Sequence, residues 1–207
     1  MAYQCGQILV MQGRVHFIIE GYSMQEITFP VRVFNALGVE NIILTNACGA
    51  MNPSFYPGAL MFISDHINFM GSNPLIGPNE DSIGPRFPDM SQIYHKDLIA
   101  IGEKTAKELS IETFKGVYTA VSGPYYFSKA ELRMVKQFGS DTIGMSTVPE
   151  AIVARHAGMN VLGISCITDM ADPDQEIEVL EHDKVVEVAN QARPKFIKLV
   201  KEILKKM

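Results

Sequence analysis

Residues 142–168 read TIGMSTVPEAIVARHAGMNVLGISCIT. A short apolar run at 142–145 gives way to a turn and a helix-compatible stretch at 149–156. The almost unbroken apolar run 160–168 (NVLGISCIT) follows. Pro149 suits the first turn of that helix, where its missing N–H costs nothing. A continuous apolar run bounded by turn residues is the pattern of a strand buried on both faces. Strand, helix and strand in succession point to an α/β protein, with helices laid over a largely parallel or mixed sheet.

The same alternation extends outward in both directions. Residues 7–12 (QILVMQ) read as a short apolar strand, and 24–37 as a helix that stops at Gly38. Residues 41–45 (NIILT) and 60–64 (LMFIS) are buried-strand patterns, 97–109 an amphipathic helix, 116–121 a strand and 129–138 a helix. The last element, 183–206, is a helix that Pro194 should break or kink. Residues 74–90 are rich in Pro, Gly, Asn and Asp and form a long loop, a length usually reserved for function or disorder. With no repeat and no low-complexity linker, one domain over 1–207 is expected. In such sheets, sites gather in the loops beyond the strand ends.

Composition narrows the function. The net charge of −5 argues against general nucleic-acid binding, which needs a basic face. No apolar run approaches the roughly 18 residues of a membrane span, and the start MAYQCGQILVMQGR lacks the charged region and apolar stretch of a secretory signal. Three cysteines, Cys5, Cys48 and Cys166, without CxxC spacing read as reduced thiols in a cytoplasmic protein.

Several polar segments sit where strands end. They are Gly13-Arg14-Val15-His16, Glu20-Gly21-Tyr22, Phe29-Pro30-Val31-Arg32-Val33, Thr45-Asn46-Ala47-Cys48-Gly49, Asp65-His66-Ile67-Asn68, Asn73-Pro74-Leu75, Arg86-Phe87-Pro88 and Gly144-Met145-Ser146-Thr147-Val148-Pro149-Glu150. In this order they resemble the trimeric purine nucleoside phosphorylases, from about Gln7 to the C-terminus. The resemblance implies a three-layer sandwich, a mixed central sheet flanked by helices. It also implies cleavage of a purine nucleoside by phosphate to free purine and ribose 1-phosphate, with no metal or organic cofactor. Such a reaction has an oxocarbenium-like transition state. The protein must hold phosphate, orient the ribose and stabilise the leaving base.

By similarity, Arg14, His16, the Ala47 backbone N–H and Ser146 hold phosphate. Met145 lies under the ribose, and His182 meets its 5′-hydroxyl. Tyr126 stacks on the base, and Asn46 stands near the bond being broken. Phe87 reaches into a neighbouring subunit's site, which implies a homotrimer. Taken singly, these residues have plainer readings: a turn asparagine at Asn46, a core or interface tyrosine at Tyr126, a helix-start histidine at His182, a loop anchor at Phe87.

Four departures from the family pattern stand out. Family members carry a longer N-terminal part with a Gly/Ser-rich phosphate loop, and nothing before Arg14 resembles it, so weak phosphate binding is expected. Phe17-Ile18-Ile19 puts one extra residue between His16 and Glu20, and Ile19 replaces a ribose-contacting tyrosine. The acid that reads the N1–H of a 6-oxopurine falls on Phe127, which cannot accept a hydrogen bond. The amide that donates to purine N7 falls on Asp169, followed by the acidic run Asp172-Pro173-Asp174, which reads as a solvated turn in preference to a metal site. An aspartate at a Thr-Asp pair is similar to the methylthioadenosine phosphorylases, which Phe127-Ser128-Lys129-Ala130-Glu131 also loosely resembles. Together these changes favour 6-aminopurines. The double tyrosine leaves open which of Tyr125 and Tyr126 covers the base. A catalytically weak purine-binding relative or assembly partner remains the alternative, and a hexameric-type phosphorylase fits the motifs less well.

Overall fold

A computed structural model describes residues 8–16, 20–174 and 181–207. Five strands and five helices alternate along these residues: α1 (Met24–Ala36), β1 (Asn41–Ala50), β2 (Leu60–Phe69), α2 (Lys96–Glu108), β3 (Thr113–Val121), α3 (Lys129–Gln137), β4 (Thr142–Gly144), α4 (Val148–His156), β5 (Asn160–Met170) and α5 (His182–Leu204). The crossover read from residues 142–168 is β4–α4–β5. The sheet is mixed and helix-flanked, and it closes on itself in the order β1-β4-β3-β2-β5. β1 runs parallel to β5, and β3 parallel to β2 and β4; β1–β4 and β2–β5 are antiparallel.

Local chemistry sets the helix ends. Ser23 and Ser128 each form a capping box, with Glu26 and Glu131 reaching back to the cap backbone. α1 packs on α4, and α5 packs on β5 and α2. The core holds the fully buried Leu60, Met61, Phe62, Ile63, Tyr118, Leu162, Ile164 and Ile167, with consecutive strand residues facing alternately into the closed sheet and out toward the helices. The apolar pattern at 41–45 and 60–64 marked only the starts of β1 and β2. Both strands run on through Asn46, Asp65, His66 and Asn68, because 46–50 pair with β5 and 65–69 with β3. The 45–49 and 65–68 segments therefore lie within strands, not past their ends.

One strand expectation fails, and of the break or kink expected at Pro194 the break does not occur. Residues 8–12 are not a strand, and Ile8, Leu9, Val10 and Met11 are exposed. A closed sheet has no free edge, so apolar composition there finds no ladder to join. The terminal helix is not broken at Pro194 and continues to Leu204. Asn190, whose carbonyl loses its partner, is exposed and open to water, while Ala192 and Leu199 anchor the helix to the core on either side.

Candidate functional site

The turn from β4 into α4 is the most constrained piece of backbone in the molecule. Thr147 is fully buried, with φ 76° and ψ −46°. Val148 N donates to Ser146 O at 2.9 Å. This is the classic γ-turn, rare and strained, and it centres on a β-branched residue that rarely takes positive φ. Strain of this kind, on the order of 1–3 kcal/mol, persists where surrounding contacts over-determine it.

Those contacts come from distant parts of the chain. Arg14 Nη1 donates to Thr147 Oγ1 (3.3 Å) and to Glu150 Oε1 (2.9 Å), and Nη2 donates to Ser146 Oγ (2.8 Å). Asn46 Nδ2, on β1, donates to Thr147 Oγ1 at 2.9 Å. The Ser146 and Thr147 hydroxyls are 3.1 Å apart, and Ser146 N–H points to the buried Tyr118 hydroxyl at 3.4 Å. Asn46 Oδ1 and Glu150 Oε2 are buried without a hydrogen-bond partner. A cation, two hydroxyls and an amide thus converge at the N-terminus of α4, where the helix dipole also favours an anion.

A second group lies farther along the same pair of strands. The β1–β5 register shifts after Cys48, so that Cys48 pairs with Ile167 and Gly49 with Asp169. The extra residue, Thr168, forms a bulge, a device that re-aims a side chain. Asp169 Oδ2 lies 2.7 Å from where a Cβ on Gly49 would stand, so only glycine leaves room for this carboxyl. Burial pushes the Asp169 pKa up, opposed by the Thr168 hydroxyl. Burial and the charge of Asp169 both raise the pKa of Tyr126, which is 49% exposed. Tyr125 turns its hydroxyl to Glu131 Oε1 at 3.0 Å, and Phe127 packs against Met51, Leu132 and Val135. Met145 joins the two groups: its sulfur lies 2.4 Å from a Cβ built on Gly123, at the head of the Tyr125–Phe127 segment.

The remaining candidates lie apart. His16 N donates to Glu20 Oε2 at 2.6 Å, with the ring Nδ1 3.9 Å from the same oxygen, so His16 does not share the Arg14 cluster. The extra residue within 17–19 lies outside the described residues. Ala47 is exposed beside Asn46. His182 opens α5 in an exposed position, and no contact among the described residues links it to the Arg14 cluster. The 74–90 segment is a loop as expected, pinned by Arg86 to the carbonyls of Gly77 (2.7 Å) and Leu75 (3.0 Å). At its tip Phe87 is 89% exposed. It borders an open groove of about 400 Å³ with His66, whose imidazole burial pushes down to about 4.

The acidic run is only half solvated. Asp174 is exposed, but Asp172 is buried, and Lys136 Nζ donates to both at 2.8 and 3.0 Å. Among the described residues, no group of three or more His, Cys, Asp or Glu side chains could hold a metal ion. None of their helices is long and apolar enough to cross a membrane. Sequence reasoning missed the structural roles of Thr147, Glu150 and Tyr118. The first two stood inside the quoted 144–150 motif, and only their position in that motif could have singled them out.

The family model described as the phosphorylase superfamily matches residues 3–205. Purine nucleoside phosphorylase 1 of Bacillus subtilis (strain 168) is 58% identical over 197 residues, 95% of this chain and 72% of that protein. The crystal structure of Schistosoma mansoni purine nucleoside phosphorylase in complex with adenosine superposes with a TM-score of 0.91 at 34% identity, covering 95% of this chain and 72% of that one. The structure in complex with inosine gives 0.91 at 35% identity, with 95% and 71% covered. The chain belongs to the phosphorylase superfamily and, within it, to the purine nucleoside phosphorylases.

Proposed function

We infer that this chain cleaves purine ribo- and deoxyribonucleosides with phosphate, giving free purine and the pentose 1-phosphate. The observation that carries the reading is the strained Ser146–Thr147 turn clasped by Arg14, an oxyanion cradle built before any substrate arrives. Phosphate is held by Arg14, Ser146 and the Ala47 N–H, with His16 joining when substrate draws it from Glu20. Met145 and His182 seat the sugar. Tyr126 covers the base, since Tyr125 is engaged with Glu131. Asn46 borders the scissile bond. Phosphate is a co-substrate, and the chemistry calls for no cofactor. Phe87, exposed on a pinned loop, serves a neighbouring subunit in a homotrimer. Two of the thiols, Cys48 and Cys166, are free and buried, in keeping with a cytoplasmic enzyme.

The base preference follows from Asp169. The Thr168 hydroxyl lies 3.2 Å from Cys48 O and 2.8 Å from Asp169 Oδ1. It has one proton, and a carbonyl only accepts. Both contacts are satisfied when the Asp169 carboxyl carries the second proton, which its raised pKa favours. Turned from Thr168 toward the base, that proton can pass to purine N7 as the base leaves with negative charge, and Thr168 can then swing from Cys48 O to donate to the carboxylate. The other oxygen accepts from a 6-amino group. Phe127 leaves the N1–H of a 6-oxopurine unpaired, so adenosine is favoured over inosine by about tenfold.

Paired kinetics with the two nucleosides at saturating phosphate test this. The wild type should favour adenosine. Its kcat/KM should fall as pH rises through the elevated Asp169 pKa, because the donor is the protonated form. Asp169→Asn should remove that limb and lower adenosine turnover relative to inosine. A wild type that prefers inosine, or an Asp169→Asn enzyme that gains on adenosine, would exclude this role for Asp169.

A further inference from the structure

We propose that Glu150 is the positioning residue for the phosphate-binding guanidinium, acting through Arg14 on phosphate affinity and not on the chemical step. The proposal rests on the phosphate role of Arg14 given above. Arg14 comes from a stretch, 8–16, with no helix or strand to fix it. A long side chain on such a stretch loses substantial rotamer freedom when it is held in one geometry. Its guanidinium is nevertheless held at three points, two through hydroxyls and one through the Glu150 carboxylate at 2.9 Å. Only the last is an ion pair, the strongest of the three contacts.

Glu150 is well suited to this task. It stands in the first turn of α4, three residues past Thr147, with its side chain only 8% exposed. The helix fixes its backbone, and burial restricts its rotamers. Of the five guanidinium N–H groups, the three contacts to described residues engage both on Nη1 and one on Nη2. The Nε–H and one Nη2–H remain, a two-donor remainder for an incoming tetrahedral oxyanion. Glu150 thus anchors the part of the guanidinium not needed for the ligand. Its second oxygen, Oε2, is buried without a partner. An unpaired buried acceptor is costly, and native proteins rarely keep one without a functional reason. The cost is consistent with a carboxylate retained for what it does to Arg14.

The charge itself works against an anion, so geometry and charge are separable by substitution. Glu150→Gln keeps an oxygen that accepts from Nη1 and removes the charge. Glu150→Asp keeps the charge and withdraws it by one methylene. Glu150→Ala removes both. Loss of the contact should raise the phosphate KM about tenfold or more, the worth of one charge-assisted hydrogen bond. The nucleoside KM, and kcat at saturating phosphate, should stay within about twofold to threefold of wild type in every variant.

The experiment measures phosphate KM, nucleoside KM and kcat for wild type, E150A, E150D and E150Q, with the dissociation constant of inorganic phosphate by calorimetry for these and for Arg14→Ala. The expected result is a phosphate-specific loss in E150A and E150D, and recovery in E150Q to within about threefold of wild type. If E150A fails to fold, E150D and E150Q carry the comparison. A phosphate KM unchanged in E150D, a parallel loss in both substrates and kcat, or an E150Q as impaired as E150D would each overturn the proposal. If Arg14→Ala leaves phosphate binding intact, the underlying reading of the site fails instead.

Discussion

The two halves of the site are built to different standards. On the phosphate side, Arg14, Asn46, Ser146, Thr147 and Glu150 are interlocked around a strained, fully buried turn. On the base side, Tyr125 and Tyr126 are roughly half exposed, and Phe87 projects into solvent from its loop. Asp169 is the partly buried polar group there, held by a bulge and by the space that Gly49 leaves. In the proposed function, the small, invariant co-substrate would meet a preorganised cradle, where fixed dipoles need no rearrangement. The larger and more variable base would meet an open rim that a neighbouring subunit is proposed to complete.

Substitutions on each side can break this contrast. The largest effect belongs to Arg14→Ala, which removes the cradle's only cation and should raise the phosphate KM by about a hundredfold or more, read from initial rates at varied phosphate. A change below tenfold would remove Arg14 from the phosphate site. The Thr147 turn comes next. Thr147→Ala and Thr147→Gly both lose the hydroxyl that Arg14 and Asn46 use, but glycine relaxes at φ 76° where alanine does not. Thr147→Gly should therefore be the more stable of the two by about 1 kcal/mol in urea denaturation. The reverse order would show that the turn is not strained. The smallest effect lies on the open rim. Phe87→Ala should raise the nucleoside KM a few-fold and leave the phosphate KM unchanged, with light scattering giving a trimer for the wild type. A wild-type monomer in the presence of nucleoside would refute the shared site.

Much of this was legible in the sequence, for identifiable reasons. The elements with clean signals were found to within a residue or two: α3 behind its Ser128–Glu131 capping box, α4 with Pro149 in its first turn, and β5 as a continuous apolar run. The second halves of β1 and β2 were not, because polar residues such as Asn46, Asp65 and His66 interrupt the apolar pattern that marks a strand. The 8–12 stretch misled in the opposite sense, since local apolarity carries no information about whether a sheet edge is free. Arg14 and Ser146 could be grouped only through the family resemblance that their two separate motifs carry. The γ-turn at Thr147, the buried pairing of Glu150, and the contact between Thr168 and Asp169 could not. They depend on contacts between residues far apart in the chain or on a bulge that no spacing rule announces.

The central claim is that this chain uses the Arg14–Ser146–Thr147 cradle to drive phosphorolysis. The most direct measurement is the release of free purine from adenosine and inosine with and without phosphate, with the sugar product identified. The account predicts free purine and ribose 1-phosphate only when phosphate is present, and loss of that release in Arg14→Ala. Binding of both nucleosides without cleavage, or cleavage to free ribose independent of phosphate, would contradict it.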